Sequence, residues 1–464
     1  MPRTSELCTL PLAQAASLLR ERTLSPVELT QACLDRIARV DPGLNAFITV
    51  TRDLALEQAR TAEQEIASGR YRGPLHGIPV ALKDLIDTAG VRTTAASALF
   101  RDRVPIEDAT VVRCLKVNGA VLLGKLNLHE FAYGGSGMVS YYGAVRNPWS
   151  REHITGGSSS GAAAAVAAGL CFAALGTDTA GSIRLPAALC GVVGLKPTYG
   201  LVSARGVIPL SWSYDHVGPM ARSVRDTALV LQAIAAYDPG DLASRDYPES
   251  DYAAALAQDT HSLRLGIVRQ FFFDDLEPEV AAAINNALQV LETLTARLSD
   301  ASMPIDTDRS VQSAEDYAYH AGFIAEHAEL YQPETLWRLK RGESITAREY
   351  ILKRNELEHL RRAAADLFSD YDLLVTPTSP AVAPSLAELR ANPDDLRRRE
   401  LILLRNTRPF NVLGLPAISV PCGFTRAGLP IGLQIAGAPG DDARVLQLAH
   451  AYEQATEWHK RIAD

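Results

Sequence analysis

The sequence predicts an α/β fold, and three observations point there. Short apolar runs at residues 78–82 and 120–123 are separated by a helical segment at 109–118, the alternation that layers helices on a sheet. The 464 residues are 47% apolar and 22% charged, which allows one large core and argues against a disordered chain. No internal repeat and no linker-like stretch divides the chain, so one domain over residues 1–464 is expected.

Taken in order, the first clear element begins at Ser25, with Pro26 at the first helical position and Glu28 at the third. A hydroxyl cap, a proline whose missing N–H costs nothing there and a glutamate that answers the cap predict a helix to about Ala38. Asp41-Pro42-Gly43 stops it; residues 44–51 read as a strand and 53–67 as a polar helix closed by Gly69. The strand at 78–82 ends on Lys83-Asp84, where the lysine taken alone reads as a side chain snorkelling to the surface. Residues 131–148 are rich in glycine, tyrosine and asparagine and read as loops near a pocket.

The alanine-rich stretch 161–176 reads as a buried helix too short to span a bilayer, with strand character towards its end at 172–176. Residues 192–196, Ser203 and 207–210 continue as short strands and turns. A helix is predicted at 223–237, a strand at 263–268 and a long amphipathic helix at 278–298. Residues 311–370 are mostly helical, 372–377 a strand and 379–393 a proline-punctuated loop. Strands at 413–421 and 431–436 precede a last helix from Asp441.

The net charge of −8 gives no broad cationic field for phosphate backbones, so no direct nucleic-acid partner is expected. Cys8, Cys33, Cys114, Cys171, Cys190 and Cys422 lie far apart with no CxxC pair. They read as buried apolar residues in a reducing cytoplasm, without a zinc site. Residues 1–16 lack a basic segment followed by an apolar one, so neither a signal peptide nor a membrane partner is expected.

Chemistry concentrates at residues 155–186, where GGSSSG and TDTAGS flank the alanine-rich segment. Glycine beside serine lets backbone approach a reacting group and lets successive N–H groups converge on an anion. Three readings compete. Gly157-Ser158-Ser159-Ser160-Gly161 matches the G-x-S-x-G nucleophile elbow, but residues 151–155 make a poor strand before it. A phosphate cradle at the start of the helix lacks a following G-K-[ST] in an acidic chain. The third reading joins Lys83 to both serine clusters.

That third combination resembles the amidase signature family. Beyond the two clusters, the resemblance is carried by HGIPVALKD at the strand, RNPWS, GLKPTYG from Gly194, DHVGPMARS from Asp215 and GLPAISVPCGF from Gly414. It covers about Leu10 to Thr456, with a signature core at about 60–220. It implies a large mixed β-sheet sandwiched between helices on both faces, and a Ser-cisSer-Lys triad: Ser182 as nucleophile, Ser158 as the bridging serine after a cis peptide, and Lys83 as base. The N–H groups of Thr179, Ala180, Gly181 and Ser182 are the implied oxyanion donors. No cofactor or metal is implied.

The residue chemistry agrees. A serine hydroxyl needs a base within hydrogen-bond reach, and lysine serves as one only when burial keeps it neutral, as the apolar run before Lys83 would do. Asp178 and Arg184 read as a structural pair behind the site, with Ser159 and Ser160 orienting the first cluster. His76, His129, His153 and His216 read as packed or hydrogen-bonded side chains. The resemblance further implies pocket walls near residues 133–138, 212–214, 317–331 and 409–411.

The expected activity is hydrolysis of a small carboxamide to a carboxylate and ammonia or amine, through an acyl-serine. The expected partners are a small-molecule amide and, at most, a second copy of the chain. Stand-alone action is expected because residues 336–362 lack features associated with glutamine-binding subunits. The alternative is the glutaminase subunit of a tRNA-dependent amidotransferase, which shares GLPAISVPCGF. Allophanate hydrolase is set aside because no residues follow Asp464 for its extra domain. A catalytically silent scaffold on the same fold is disfavoured by Lys83, Ser158 and Ser182.

Overall fold

The computed structural model describes residues 7–463. The expectation of no signal peptide at 1–16 falls partly on residues outside this range, as does the one resting on Asp464.

The centre is an 11-stranded mixed sheet. Its strands are β1 (Phe47–Val50), β2 (Pro79–Lys83), β3 (Val121–Leu126), β6 (Ala173–Asp178), β7 (Val193–Lys196), β8 (His216–Ala221), β9 (Arg264–Val268), β10 (Arg297–Ala301), β11 (Leu373–Pro377), β12 (Ala417–Phe424) and β13 (Pro430–Gly437). A separate two-stranded ribbon pairs β4 (Arg146–Asn147) with β5 (Ser150–Ile154). The order in the large sheet is β1-β3-β2-β6-β8-β7-β12-β13-β11-β9-β10. β2 runs parallel to β3 and β6, and β9 parallel to β10 and β11, while the middle of the sheet is antiparallel.

Every residue of β2, β3, β6, β7, β8, β11 and β13 is buried. Because successive side chains point to opposite faces, these strands are covered on both sides. The expected sandwiched sheet is present.

Local rules explain much of this. Ser25 caps the helix Pro26–Val40, its hydroxyl accepting from Val27 N at 3.0 Å and Glu28 N at 3.2 Å. The helices Arg52–Ala67 and Thr110–Val117 stand where expected.

Three elements differ from expectation. The alanine-rich helix runs only from Ser160 to Ala167, and the chain turns at 168–172 into strand β6; a place in the middle of the sheet outweighs alanine's helix propensity. The long helix ends at Leu294, after which the backbone extends at Thr295 and residues 297–301 pair with β9 as an edge strand. Inside the expected loop at 379–393 a short helix, Leu386–Ala391, is capped by Ser385 accepting from Glu388 N at 3.1 Å.

Candidate active site

Lys83 ends β2 and is fully buried. β2 pairs in parallel with β6, Leu82 against Leu175, so the C-terminal ends of both strands open onto one place. There Lys83 Nζ donates to Ser158 Oγ at 2.7 Å and to Thr177 Oγ1 at 2.8 Å. The lysine does not snorkel. Burial lowers its pKa to about 7 against the opposing pull of Asp215 and then Asp178, because desolvation disfavours the cation.

Ser158 follows a cis Gly157–Ser158 peptide bond. Its carbonyl accepts from His129 N at 3.1 Å. The next amide, Ser159 N, donates to Ser182 O at 3.1 Å, which binds the second cluster to the first. Ser159 itself is occupied: its hydroxyl donates to Thr177 O at 3.1 Å and accepts from Thr177 N at 3.3 Å. The strand before the first cluster, β5, belongs to the small ribbon and not to the main sheet. Both facts remove support from the elbow reading of Ser159, which requires a serine carried by a strand of the main sheet.

The turn Thr179–Ser182 is shaped from below by Asp178. Its Oδ1 accepts from Gly181 N at 2.7 Å and its Oδ2 from Ile183 N at 3.1 Å. Arg184 grips the same carboxylate through Nε and Nη2, each at 3.0 Å, and Asn411 Nδ2 adds a bond at 2.8 Å. Burial alone would raise the Asp178 pKa; Arg184 outweighs it, and the carboxyl is held well below its usual range. The expected structural pair is therefore present and fully buried.

Two hydroxyls fix the rim of the turn: Thr407 Oγ1 donates to Ala180 O at 2.7 Å, and Thr179 Oγ1 to Asp215 Oδ1 at 2.5 Å. At Gly181 φ is +128°, and a Cβ there would fall 1.9 Å from Thr407 Oγ1. Only glycine fits. Ser182 is 4% exposed.

Of the four amides expected to face an oxyanion, Gly181 N–H is taken by Asp178. Thr179, Ala180 and Ser182 N–H have no protein acceptor among the described residues. The histidines sit elsewhere. His129 lies buried between Arg338 Nη1 at 3.2 Å and Glu400 at 3.6 Å, with its pKa lowered to about 3 by burial. His216 Nδ1 faces Tyr214 O at 2.6 Å, His153 Nδ1 meets Ser150 Oγ at 2.7 Å, and His76 Nε2 lies 3.1 Å from Glu65. Among the described residues no group of three or more His, Cys, Asp or Glu side chains could hold a metal ion, and no helix is long and apolar enough to cross a membrane.

Sequence reasoning passed over Thr177, Asp215, Thr407 and the role of Asn411. Thr177 lies inside the second cluster and was readable from its place there. Thr407 and Asn411 act across more than two hundred residues, and no local pattern marks them. Of the expected pocket walls, 133–138 lies against the first cluster: a Cβ on Gly157 would meet Gly137 N at 2.9 Å and Gly134 O at 3.1 Å.

A family model described as Amidase matches residues 28–446. The chain belongs to the amidase family. Its members cleave amide C–N bonds, and this chain is an enzyme of that class.

Among similar proteins, the A subunit of glutamyl-tRNA(Gln) amidotransferase from Moorella thermoacetica is 43% identical over 98% of both chains. The solved structure of the corresponding protein from Thermotoga maritima is 34% identical with a TM-score of 0.80, covering 97% of this chain and 96% of that one. A 6-aminohexanoate cyclic dimer hydrolase complexed with substrate is 32% identical with a TM-score of 0.89, over 99% of both chains.

These findings fit the amidotransferase alternative better than a generic stand-alone amidase. They also correct the expected partners, a small-molecule amide with no nucleic acid and at most a second copy. The Moorella relative is one subunit of an enzyme named for glutamyl-tRNA(Gln). The charge of −8 misleads here because net charge describes one chain's own field and says nothing of surfaces that another subunit brings.

Proposed function

We propose that this amidase-family chain releases ammonia from the side-chain carboxamide of glutamine, as the amide-hydrolysing subunit of a tRNA-dependent amidotransferase. The observation that supports the chemistry best is the bond of 2.7 Å between Lys83 Nζ and Ser158 Oγ, made by a buried lysine whose pKa is lowered to about 7. The 43% identity to the Moorella amidotransferase chain, over nearly the full length of both, supports the assignment to an assembly.

In the mechanism, neutral Lys83 takes the proton of Ser158 as Ser158 takes that of Ser182, and Ser182 Oγ forms a bond to the carboxamide carbon. The oxyanion that develops faces the free amides of the Thr179–Ser182 turn, where one such donor is worth about 3–4 kcal/mol in other enzymes. Collapse breaks the C–N bond, and the relay runs backwards to protonate the departing nitrogen. Water then attacks the acyl-serine by the same route, giving the carboxylate and restoring Ser182.

The test is affinity purification of the tagged chain from its own cells, followed by ammonia release from glutamine. A co-purifying subunit that raises glutaminase activity is expected. A chain that purifies alone and hydrolyses glutamine no faster than unrelated amides would overturn the assignment.

A further inference from the structure

Close to Ser158 the backbone is held in a conformation that side chains resist. Ala95, Ala96, Phe131 and Ala132 have φ of +51°, +57°, +49° and +60°, the left-handed region where a Cβ crowds the chain. Among the described residues eight that are not glycine lie in that region, and half of them are these four, in two short segments that touch. Phe131 N donates to Ala95 O at 3.0 Å. Such backbone persists only where its surroundings enforce it. All four residues are buried, and the Phe131 ring packs edge-on against His320 and Phe100, with ring centres 4.4 Å and 5.4 Å away.

The two segments connect the neighbourhood of Lys83 to that of Ser158. Asp84, directly after Lys83, accepts through Oδ2 from Thr94 N at 2.9 Å and from Thr94 Oγ1 at 2.5 Å, and its carbonyl accepts from Ala95 N at 2.7 Å. Its other carboxyl oxygen faces Lys125 Nζ at 3.6 Å, and that buried lysine also donates to Ile86 O at 2.6 Å and Thr93 Oγ1 at 2.7 Å. At the far end Ala132 N donates to His129 O at 2.8 Å and His129 N to Ser158 O at 3.1 Å. A continuous path therefore runs from Lys83 through Asp84, Ala95, Phe131 and His129 to Ser158, and the Lys83–Ser158 bond of 2.7 Å closes it into a ring. The proton relay itself uses neither Asp84 nor Lys125.

We propose that Asp84 is a positioning residue: through the strained segments at 94–96 and 131–132 it holds Ser158 at bonding distance from Lys83. The role rests on the hydrolase reading of Lys83, Ser158 and Ser182 and adds to it the device that sets their spacing. A base must stand within hydrogen-bond reach of the proton it takes, and a misplacement of about 1 Å can cost about 10²-fold in rate. Lys83 ends a strand and Ser158 lies in a loop, so their separation needs a support of its own.

The experiment uses the full-length chain, with any subunit that co-purifies, in two variants. Asp84→Ala removes the acceptor for Thr94. A double variant, Ala95→Gly with Ala132→Gly, slackens the strained segments with a residue that adopts positive φ freely, so it folds even where Asp84→Ala does not. The melting temperature reports folding. Crystal structures are expected to show the Lys83 Nζ–Ser158 Oγ separation, 2.7 Å in the parent, lengthened beyond about 3.2 Å in each folded variant. For ammonia release from glutamine, kcat is expected to fall at least about tenfold while KM stays within about threefold; a general loosening of the pocket would raise KM instead. A folded variant that keeps the separation, or one that raises KM and retains kcat, overturns the role. If the unsubstituted chain releases no ammonia from any amide, the hydrolase reading fails by itself, and the measured separation still decides whether Asp84 positions Ser158.

Discussion

Lys83 Nζ lies 2.7 Å from Ser158 Oγ at the buried end of β2. The lysine is there because an apolar strand carries it inward, and the same burial that makes its charge costly brings its pKa to about 7. A residue type that is normally a surface cation is thereby brought within reach of its neutral form near neutral pH.

The first prediction follows from the sign of that shift. In the proposed mechanism the neutral amine is the base, and a lowered pKa means the proton leaves at lower pH. Ammonia release should therefore climb with pH through a midpoint at about 7 and level off above it. Lys83→Ala should lower kcat by at least about 10²-fold. A pH–rate profile that is flat from about pH 6 to about pH 9 would refute the role of Lys83.

A second prediction separates the two serine clusters. A serine-directed phosphonate should label Ser182, and Ser182→Ala should cost at least about 10³-fold in kcat. Ser159 should stay unlabelled, because both sides of its hydroxyl are engaged by Thr177. Peptide mapping of the labelled protein decides, and a label on Ser159 would restore the elbow reading.

The third prediction concerns the pair beneath the turn. Asp178→Ala leaves the buried Arg184 guanidinium without its carboxylate, a change that costs about 3–5 kcal/mol. Chemical denaturation should show that loss. Burial opposes ionisation of Asp178 but Arg184 prevails, so the folded pKa lies below the unfolded one. The pair's contribution should hold in full above about pH 4 and fade only as the pH falls further. An Asp178→Ala chain as stable as its parent would refute this account.

Several elements were legible because their causes are local. Ser25, Pro26 and Glu28 together mark a helix start, and in the structure the Ser25 hydroxyl accepts from the amides of Val27 and Glu28. The run ending in Lys83 is a strand whose residues are all buried. Other elements were not legible. The alanine-rich stretch 161–176 has the composition of a helix, yet the helix stops at Ala167; the strand expected from Phe172 is β6, where a position between β2 and β8 rewards extended backbone. The helix expected to reach Leu298 stops at Leu294, and residues 297–301 become an edge strand because β9 offers an unpaired side.

The sequence by itself determined which groups are proposed to carry the chemistry. The two serine and glycine clusters and the lysine at a strand end are odd enough in spacing to be recognised without coordinates. The fold decided how they meet. Lys83 reaches Ser158 and Thr177 because two parallel strands end at one level, and the turn at Ser182 holds its shape because Asp178, Arg184, Thr407 and Asn411 converge on it. The bonds from Thr407 and Asn411 join residues more than two hundred positions apart, and hydrogen bonds at that separation depend on packing that no local pattern encodes.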